Sequence, residues 1–240
     1  MNFEKDNSDY VKQLIKKLSE IEYIKPGEIP NIDLYMDQVT TFMDSHLDSL
    51  KRHADDKILT KTMINNYAKN NLLPPPVKKK YSKEHLLILI FIYYFKNILS
   101  ISDIQSLLNP LTEKYFKKDS SPSLEDIYKE VFELERSQIG ALSRDIIEKY
   151  KKVDSHFSSK YENEDDNLND NDKQSKDSLK DDSAEDTNNE DFEFLKLFSF
   201  VCVLSFDVYI KKQMIESIID DLNMYDTDKK TKSKSSKKDK

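Results

Sequence analysis

Apolar positions Val11, Leu14, Ile15, Leu18 and Ile21 recur at helical spacing from Asp9 to Ile24, and Pro26, Gly27 and Pro30 end that pattern. A second helix is predicted from about Asp33 to Lys51, with Leu34, Val39, Phe42, Met43 and Leu47 on its apolar face and Asn31 or Asp33 as its cap. A third is predicted from Thr60, a good N-cap, to Asn71, with Met63, Ile64 and Tyr67 facing inward. Asn70-Asn71 is a stop signal, because asparagine tolerates the left-handed conformation found at helix C-termini. Pro74-Pro75-Pro76 makes a stiff extended passage, and Val77 to Tyr81 is a short basic stretch. Ser82 caps a helix over Lys83 to Asn97 that is apolar nearly all round, which places it at the centre of a core. Ser100 or Ser102 caps a short helix through Ile104, Leu107 and Leu108, with Pro110 after it. From Leu124 to Val153 an amphipathic stripe continues for about thirty residues, beyond the usual helix length, with Gly140 as a weak point in its middle. Asp191 to Leu222 reads as a last helix or helix pair.

Between and beyond these elements the pattern fails. Ser155 to Glu190 is almost wholly Asp, Asn, Ser, Lys and Glu, so it has too little apolar surface to order itself. The expected organisation is an N-terminal helix (1–28), a winged helix-turn-helix-like domain (29–110), an amphipathic packing or dimerisation helix (111–157), a disordered acidic insert (158–190), an apolar C-terminal helix (191–224) and a disordered basic tail (225–240). The chain has 2 glycines, Gly27 and Gly140. Tight turns and phosphate loops depend on glycine, so a sheet-rich fold or a nucleotide loop is disfavoured and the expected class is mainly α. The single cysteine, Cys202, excludes an internal disulfide and suits a reducing compartment. No apolar run resembles a signal peptide or a membrane span; the nearest, Phe192 to Ile210, is interrupted by Glu193, Lys196 and Asp207. A cytoplasmic location without membrane attachment is expected.

Net charge is −7, but its distribution is uneven. From Glu162 to Glu193 there are 14 acids against 3 lysines, whereas from Lys57 to Lys83 there are 7 lysines and no acid. A basic tail follows Asp228. Such clustering, and not the total, is the electrostatic footprint of a nucleic-acid binder.

The segment from Leu59 to Leu86 resembles the DNA-reading half of MerR-type winged helix-turn-helix regulators. Ile64, Tyr67, Lys69, Leu72, Leu73, Pro74, Tyr81, Ser82 and Leu86 match that family's pattern, and Ile101, Asp103 and Ile104 match a later helix of it. The family's recognition-helix arginine falls on Asn65, its helix-ending glycine on Asn71, its threonine on Met63 and its wing arginine on Lys79, and the wing is shorter. Loss of both arginines removes the usual bidentate contact to guanine. A closer resemblance covers Ile29 to about Tyr150, carried by Ile-Pro-Asn-Ile-Asp-Leu-Tyr-Met-Asp-Gln from Ile29 and by Leu-Thr-Lys-Thr-Met-Ile-Asn-Asn-Tyr-Ala-Lys from Leu59. That stretch is similar to an uncharacterised bacterial family, number 1836 among the domains of unknown function. The resemblance implies a fold and a bacterial origin and no activity.

The residues make a physical case of their own. A recognition helix needs short, polar or basic side chains on its outer N-terminal turns, and Thr60, Lys61, Thr62, Asn65 and Asn66 supply them, followed by Lys69. Asparagine pairs bidentately with adenine. Lys78, Lys79 and Lys80, read as an extended strand, would lie along phosphates, and Tyr81 would either buttress the wing or bond a phosphate. The competing reading is a solvated lysine loop on an ordinary helical core. The expected function is a transcriptional regulator with double-stranded DNA as partner; the alternative is a non-catalytic protein-interaction module on the same fold.

Other candidates carry less. His46 and His53, with Asp44, Asp48, Asp55 and Asp56 nearby, lack zinc-site spacing, and no metal or other cofactor is expected. His85, third in its helix, reads as a capping or surface group. No nucleophile motif or phosphate loop occurs, so an enzyme is not expected, and no effector pocket is signalled. Phe192, Phe194, Leu195, Phe198, Val201, Cys202, Leu204 and Phe206 form an apolar strip, read as core against the first helices, with a homodimer seam as the alternative. The acidic insert is a candidate internal mimic of DNA that competes for the lysine cluster.

Overall fold

A computed structural model gives the fold, describing residues 7–19, 24–117, 119–159 and 182–235. Among the described residues the chain is mainly helical: α1 (Asn7–Ser19), α2 (Met36–His46), α3 (Lys61–Lys69), α4 (Lys83–Phe95), α5 (Ile101–Tyr115), α6 (Leu124–Phe157) and α7 (Asp182–Ser235). Two short strands, β1 (Leu34–Tyr35) and β2 (Lys80–Tyr81), pair antiparallel with Leu34 opposite Tyr81 and Tyr35 opposite Lys80. No described helix is long and apolar enough to cross a membrane.

The chain divides into two compact units, and the division falls inside α6 and α7. One unit is the described part of Ile21–Arg136 with Lys211–Lys240. Its core is α4, on which nine successive residues from His85 to Tyr93 are buried. A helix covered on all sides can be apolar on all sides, which is why no amphipathic stripe marks it. Around it pack Val39, Phe42 and Met43 of α2, Ile64 and Tyr67 of α3, Ile104 and Leu108 of α5, Leu124 and Tyr128 of α6, and Ile219 of α7. Tyr128 donates its hydroxyl to the Ile24 carbonyl at 2.6 Å, tying the start of α6 to the chain that precedes β1.

Local signals explain most ends. At α6 the Ser123 amide donates to the Asp126 carboxylate at 3.0 Å while the Asp126 amide donates to the Ser123 hydroxyl at 3.1 Å, a reciprocal capping box. The Ser123 hydroxyl, donating to the same carboxylate at 2.6 Å, and after it the Ser123 amide hold the Asp126 carboxyl below its ordinary pKa. Among the ends that differ from expectation, two have a clear cause. α2 starts at Met36, with Gln38 accepting the Tyr35 amide at 2.9 Å, and neither Asn31 nor Asp33 caps it, because Leu34–Tyr35 are drawn into pairing with β2. α5 does not stop before Pro110 but runs through it to Tyr115. Burial of Ile104 and Leu108, with Leu107 and Leu111 packed beside them, holds the helix across the missing amide.

The other unit is the described part of Met1–Glu20 with Ser137–Ile210. Val11 of α1, Tyr150 and Val153 of α6 and Phe200 of α7 form its small core, with Ile15, Ile146, Phe157 and Leu204 against them. Tyr150 and Phe200 meet edge to face, centroids 5.3 Å apart. Charge lies inside this contact: Lys196, only 7% exposed, reaches Asp154 at 3.1 Å and Glu193 at 3.3 Å, and Lys149 reaches Asp207 at 3.2 Å. Burial alone depresses the Lys196 pKa, but the two carboxylates outweigh it and leave the ammonium raised above its ordinary value. The apolar strip does not form the expected core. Phe200 and Leu204 pack, while Phe194, Phe198, Val201 and Phe206 are more than half exposed, because α1 and α6 cover one side of a helix that is apolar on most sides.

α7 carries helix through the last residues assigned to the acidic insert and most of those assigned to the basic tail. Residues 160–181 of the insert and 236–240 of the tail lie outside the described residues.

Candidate nucleic-acid interface

α3 is built as its sequence reads. The Thr60 hydroxyl accepts the Met63 amide at 3.2 Å, so the expected N-cap is in place. Ile64 and Tyr67 turn inward, and the opposite face presents Lys61, Thr62, Asn65, Asn66 and Lys69 to solvent. These positions recur at i, i+4 and i+8, so one helix face collects them. At the C-terminus, Asn71 adopts φ 56°, the Leu72 amide donates to the Tyr67 carbonyl at 2.9 Å and the Asn71 amide to Ala68 at 3.3 Å. That is a Schellman motif, with buried Leu72 as its apolar contact and asparagine where glycine is usual. Gln105 of α5 donates to the Asn70 carbonyl at 3.0 Å and fixes this end against the rest of the unit.

The lysine run is not an extended strand. Val77 and Lys80 exchange backbone hydrogen bonds at 3.1 and 2.9 Å, and the two residues between them have φ 51° (Lys78) and 65° (Lys79). The loop is a two-residue hairpin with both central residues left-handed, a conformation that Asn-Gly or Gly-Gly normally supplies. The hairpin's return strand, β2, is held by β1, so the turn projects from a fixed base. Lys78 and Lys79 stand exposed at its tip. Lys80 is half-buried, with its ammonium 5.2 Å from the Tyr35 ring centroid.

Tyr81 is 3% exposed and its ring meets His85 edge to face at 5.5 Å, so it buttresses the hairpin and is not presented to a phosphate. Burial raises its phenol pKa. His85 is a cap and not a surface group: its Nδ1 accepts the Ser82 amide at 3.0 Å, which puts the ring proton on Nε2, 3.4 Å from the Pro75 carbonyl. Burial pulls its pKa below the ordinary histidine value. The histidine therefore joins the start of α4 to the proline passage below the hairpin. The sequence suggests the cap but not this second tie, which needs the fold. His46 is committed to α2, its Nδ1 lying 3.0 Å from the Phe42 carbonyl.

Not every lysine here is available. Lys61 pairs with Asp37 across exposed surface, and Lys83 with Glu125 at 2.7 Å. Asp37, some twenty positions before the acid-free stretch and carried on α2, is an acid that the sequence alone does not place beside α3. Lys57, Lys69, Lys78 and Lys79 have no ion-pair partner among the described residues.

Residues 24–131 match the family model of a domain of unknown function, DUF1836. The matched segment covers β1 to the first turns of α6 and lies wholly within the unit built on α4. It is shorter at its C-terminal end than the resemblance noted from the sequence. No curated protein and no solved structure matches the chain. The DUF1836 segment holds the exposed face of α3, the lysine hairpin and the His85 tie, whereas the small core of Val11, Tyr150, Val153 and Phe200 lies outside it.

Proposed function

We propose that the DUF1836 segment is a double-stranded DNA reader of winged helix-turn-helix type, with α3 entering the major groove and the hairpin lysines on phosphates. The observation that carries this reading is the lysine pair at positive φ. A non-glycine residue in the left-handed region costs roughly 1–2 kcal/mol. Two adjacent lysines there are poor choices for a turn and good choices for a projecting pair of cations. The order of parts also agrees with a MerR-like reader: an N-capped helix, a left-handed C-terminal stop, a hairpin wing and a capped core helix. The fourteen positions 47–60 between α2 and α3 depart from it, since a helix-turn-helix normally turns in three or four residues. With Asn65 and Asn66 outward and no arginine on the helix, the chemistry favours adenine over guanine.

A rival reading is an interaction module that never meets DNA, and the exposed apolar side of α7 favours it. Equilibrium binding of the full chain to duplex DNA across a salt series separates them. Lys78→Glu with Lys79→Glu should weaken binding to every sequence, and Asn65→Ala should weaken binding mainly to the preferred sequence. Absence of binding at low salt, or identical affinity in the lysine variant, rejects the DNA reading.

A further inference from the structure

We propose that α7 binds a second copy of this chain through the apolar face it exposes between Phe194 and Ile210, with Cys202 at the centre of the seam. The inference is independent of DNA binding.

Phe194, Phe198, Val201, Phe206, Val208 and Tyr209 are each more than half exposed. At about 100° per residue these positions, with Leu195, Val203 and Ile210, sweep an arc of roughly 220°. Phe200, Leu204 and the three charged residues Glu193, Lys196 and Asp207 lie on the remaining side, against α6. This half of α7 is thus inverted relative to an ordinary surface helix: its ions are paired inward and its apolar residues face out. Side chains of this size carry about 150–250 Å² when aromatic, so at these exposures the arc offers on the order of 800 Å². A monomer's largest apolar patch is about 300–600 Å², and each partner of a standard interface contributes about 800 Å².

Two features select a second copy as the occupant. In a two-fold interface a patch meets itself, so any net charge on it repels; this arc carries none, its interruptions being Ser199, Cys202 and Ser205. Phe194 and Phe198 already stack one turn apart at 6.2 Å, which presents a ribbed surface that an identical helix can interdigitate with. A bilayer is a poor fit, because no described helix meets the length and hydropathy of a span and α6 beside it is largely polar and exposed. Cys202 lies midway between Phe194 and Ile210 in sequence and within about 10° of the arc's middle. An in-register symmetric pair, parallel or antiparallel, brings it next to the partner's Cys202.

Sedimentation of the full chain over a concentration series tests this, alone and with phosphatidylcholine vesicles. The expected result is a dimer at micromolar concentration whose dissociation constant rises about 100-fold or more in Phe198→Glu/Phe206→Glu, with unchanged helicity by circular dichroism. Both side chains are exposed, so the substitution does not disturb either core. Mild oxidation should convert the wild-type dimer to a disulfide-linked one. A monomer at all concentrations, a monomer that pellets with vesicles, a dimer indifferent to the two glutamates, or a dimer that fails to cross-link overturns the proposal.

Discussion

Replacing Lys78-Lys79 with Asn-Gly separates what the hairpin does for the fold from what it does for a ligand. Both positions sit at positive φ, 51° and 65°. Asparagine and glycine are the residues that a two-residue turn of this hand prefers. Each lysine there costs roughly 1–2 kcal/mol, and glycine gives back roughly 0.5–1 kcal/mol of that as extra freedom in the unfolded chain. The pair should therefore stabilise the chain by about 1 kcal/mol. With a urea slope of about 1–3 kcal/mol per molar, the midpoint rises by roughly 0.5 M. Binding moves the other way. If both lysines contact phosphates, the dependence of log affinity on log salt flattens by about 0.9 for each lost contact. Lys78→Gln with Lys79→Gln is the companion, keeping the backbone strain while removing the charge. It should flatten the salt dependence equally and leave the urea midpoint where it was. A lower midpoint for Asn-Gly refutes the strain argument. A raised midpoint with an unchanged salt slope refutes the phosphate contacts and leaves the turn a structural oddity.

His85 predicts a pH dependence. Its folded pKa lies below the ordinary 6.5, so the neutral ring is what the fold binds. Its contribution is present in full above about pH 6.5 and is lost as pH falls from there through the folded value, with a slope of at most about 1.4 kcal/mol per pH unit. His85→Gln, which can still accept the Ser82 amide, should remove that part of the slope in urea melts at pH 5 and 7; an unaltered slope assigns it to other groups. Gly140→Ala in the middle of α6 should stabilise by about 1 kcal/mol, since the added methyl meets Arg144 no closer than 3.6 Å and helix propensity favours alanine. A lowered thermal midpoint would mean that the glycine serves a close approach. Ile88→Ala on the fully buried face of α4 should cost about 2–5 kcal/mol by chemical denaturation, and a loss under 1 kcal/mol would deny α4 its central place.

The sequence declared most of this fold where one residue type had one job. Thr60, Asn71 and the unbroken apolar run from Leu86 to Ile92 each act within a turn or two of themselves, and the structure bears them out; Ser82 holds its N-cap position, with the His85 ring accepting its amide and its own hydroxyl capping no backbone amide. It was silent where two distant segments decide. β1 cannot be read from Leu34–Tyr35 alone, because pairing with Lys80–Tyr81 some forty-five positions later creates it and in doing so moves the start of α2. Sequence alone reads the hairpin as extended, because lysine gives no signal for a left-handed turn. The geometry comes from the two Val77–Lys80 hydrogen bonds, which override local preference. Tyr81 and His85 look alike from sequence, polar aromatic groups near a basic run, and only their burial separates a buttress and a tie from ligand-facing residues.

The failures of local reading are themselves informative. Natural sequences tend to satisfy propensity, patterning and burial together, and depart from them where something other than the isolated fold is being served. Two departures stand out here. The tip of the hairpin uses the wrong residues for its backbone, and α7 turns its charges in and its aromatics out. Each costs the lone chain stability, and each would be offset by contact, a polyanion for the lysines and an apolar surface for the helix. They are chemically opposite, so one partner cannot answer both. The Asp37–Lys61 pair at the edge of α3 sharpens the first case, because a polyanion must displace that carboxylate to use Lys61. Exposed pairs of this kind are worth roughly 0–1 kcal/mol, so Asp37→Asn should leave stability nearly unchanged and strengthen binding to duplex DNA. A variant whose affinity does not rise would place Lys61 outside the contact and confine the interface to Asn65, Lys69 and the hairpin.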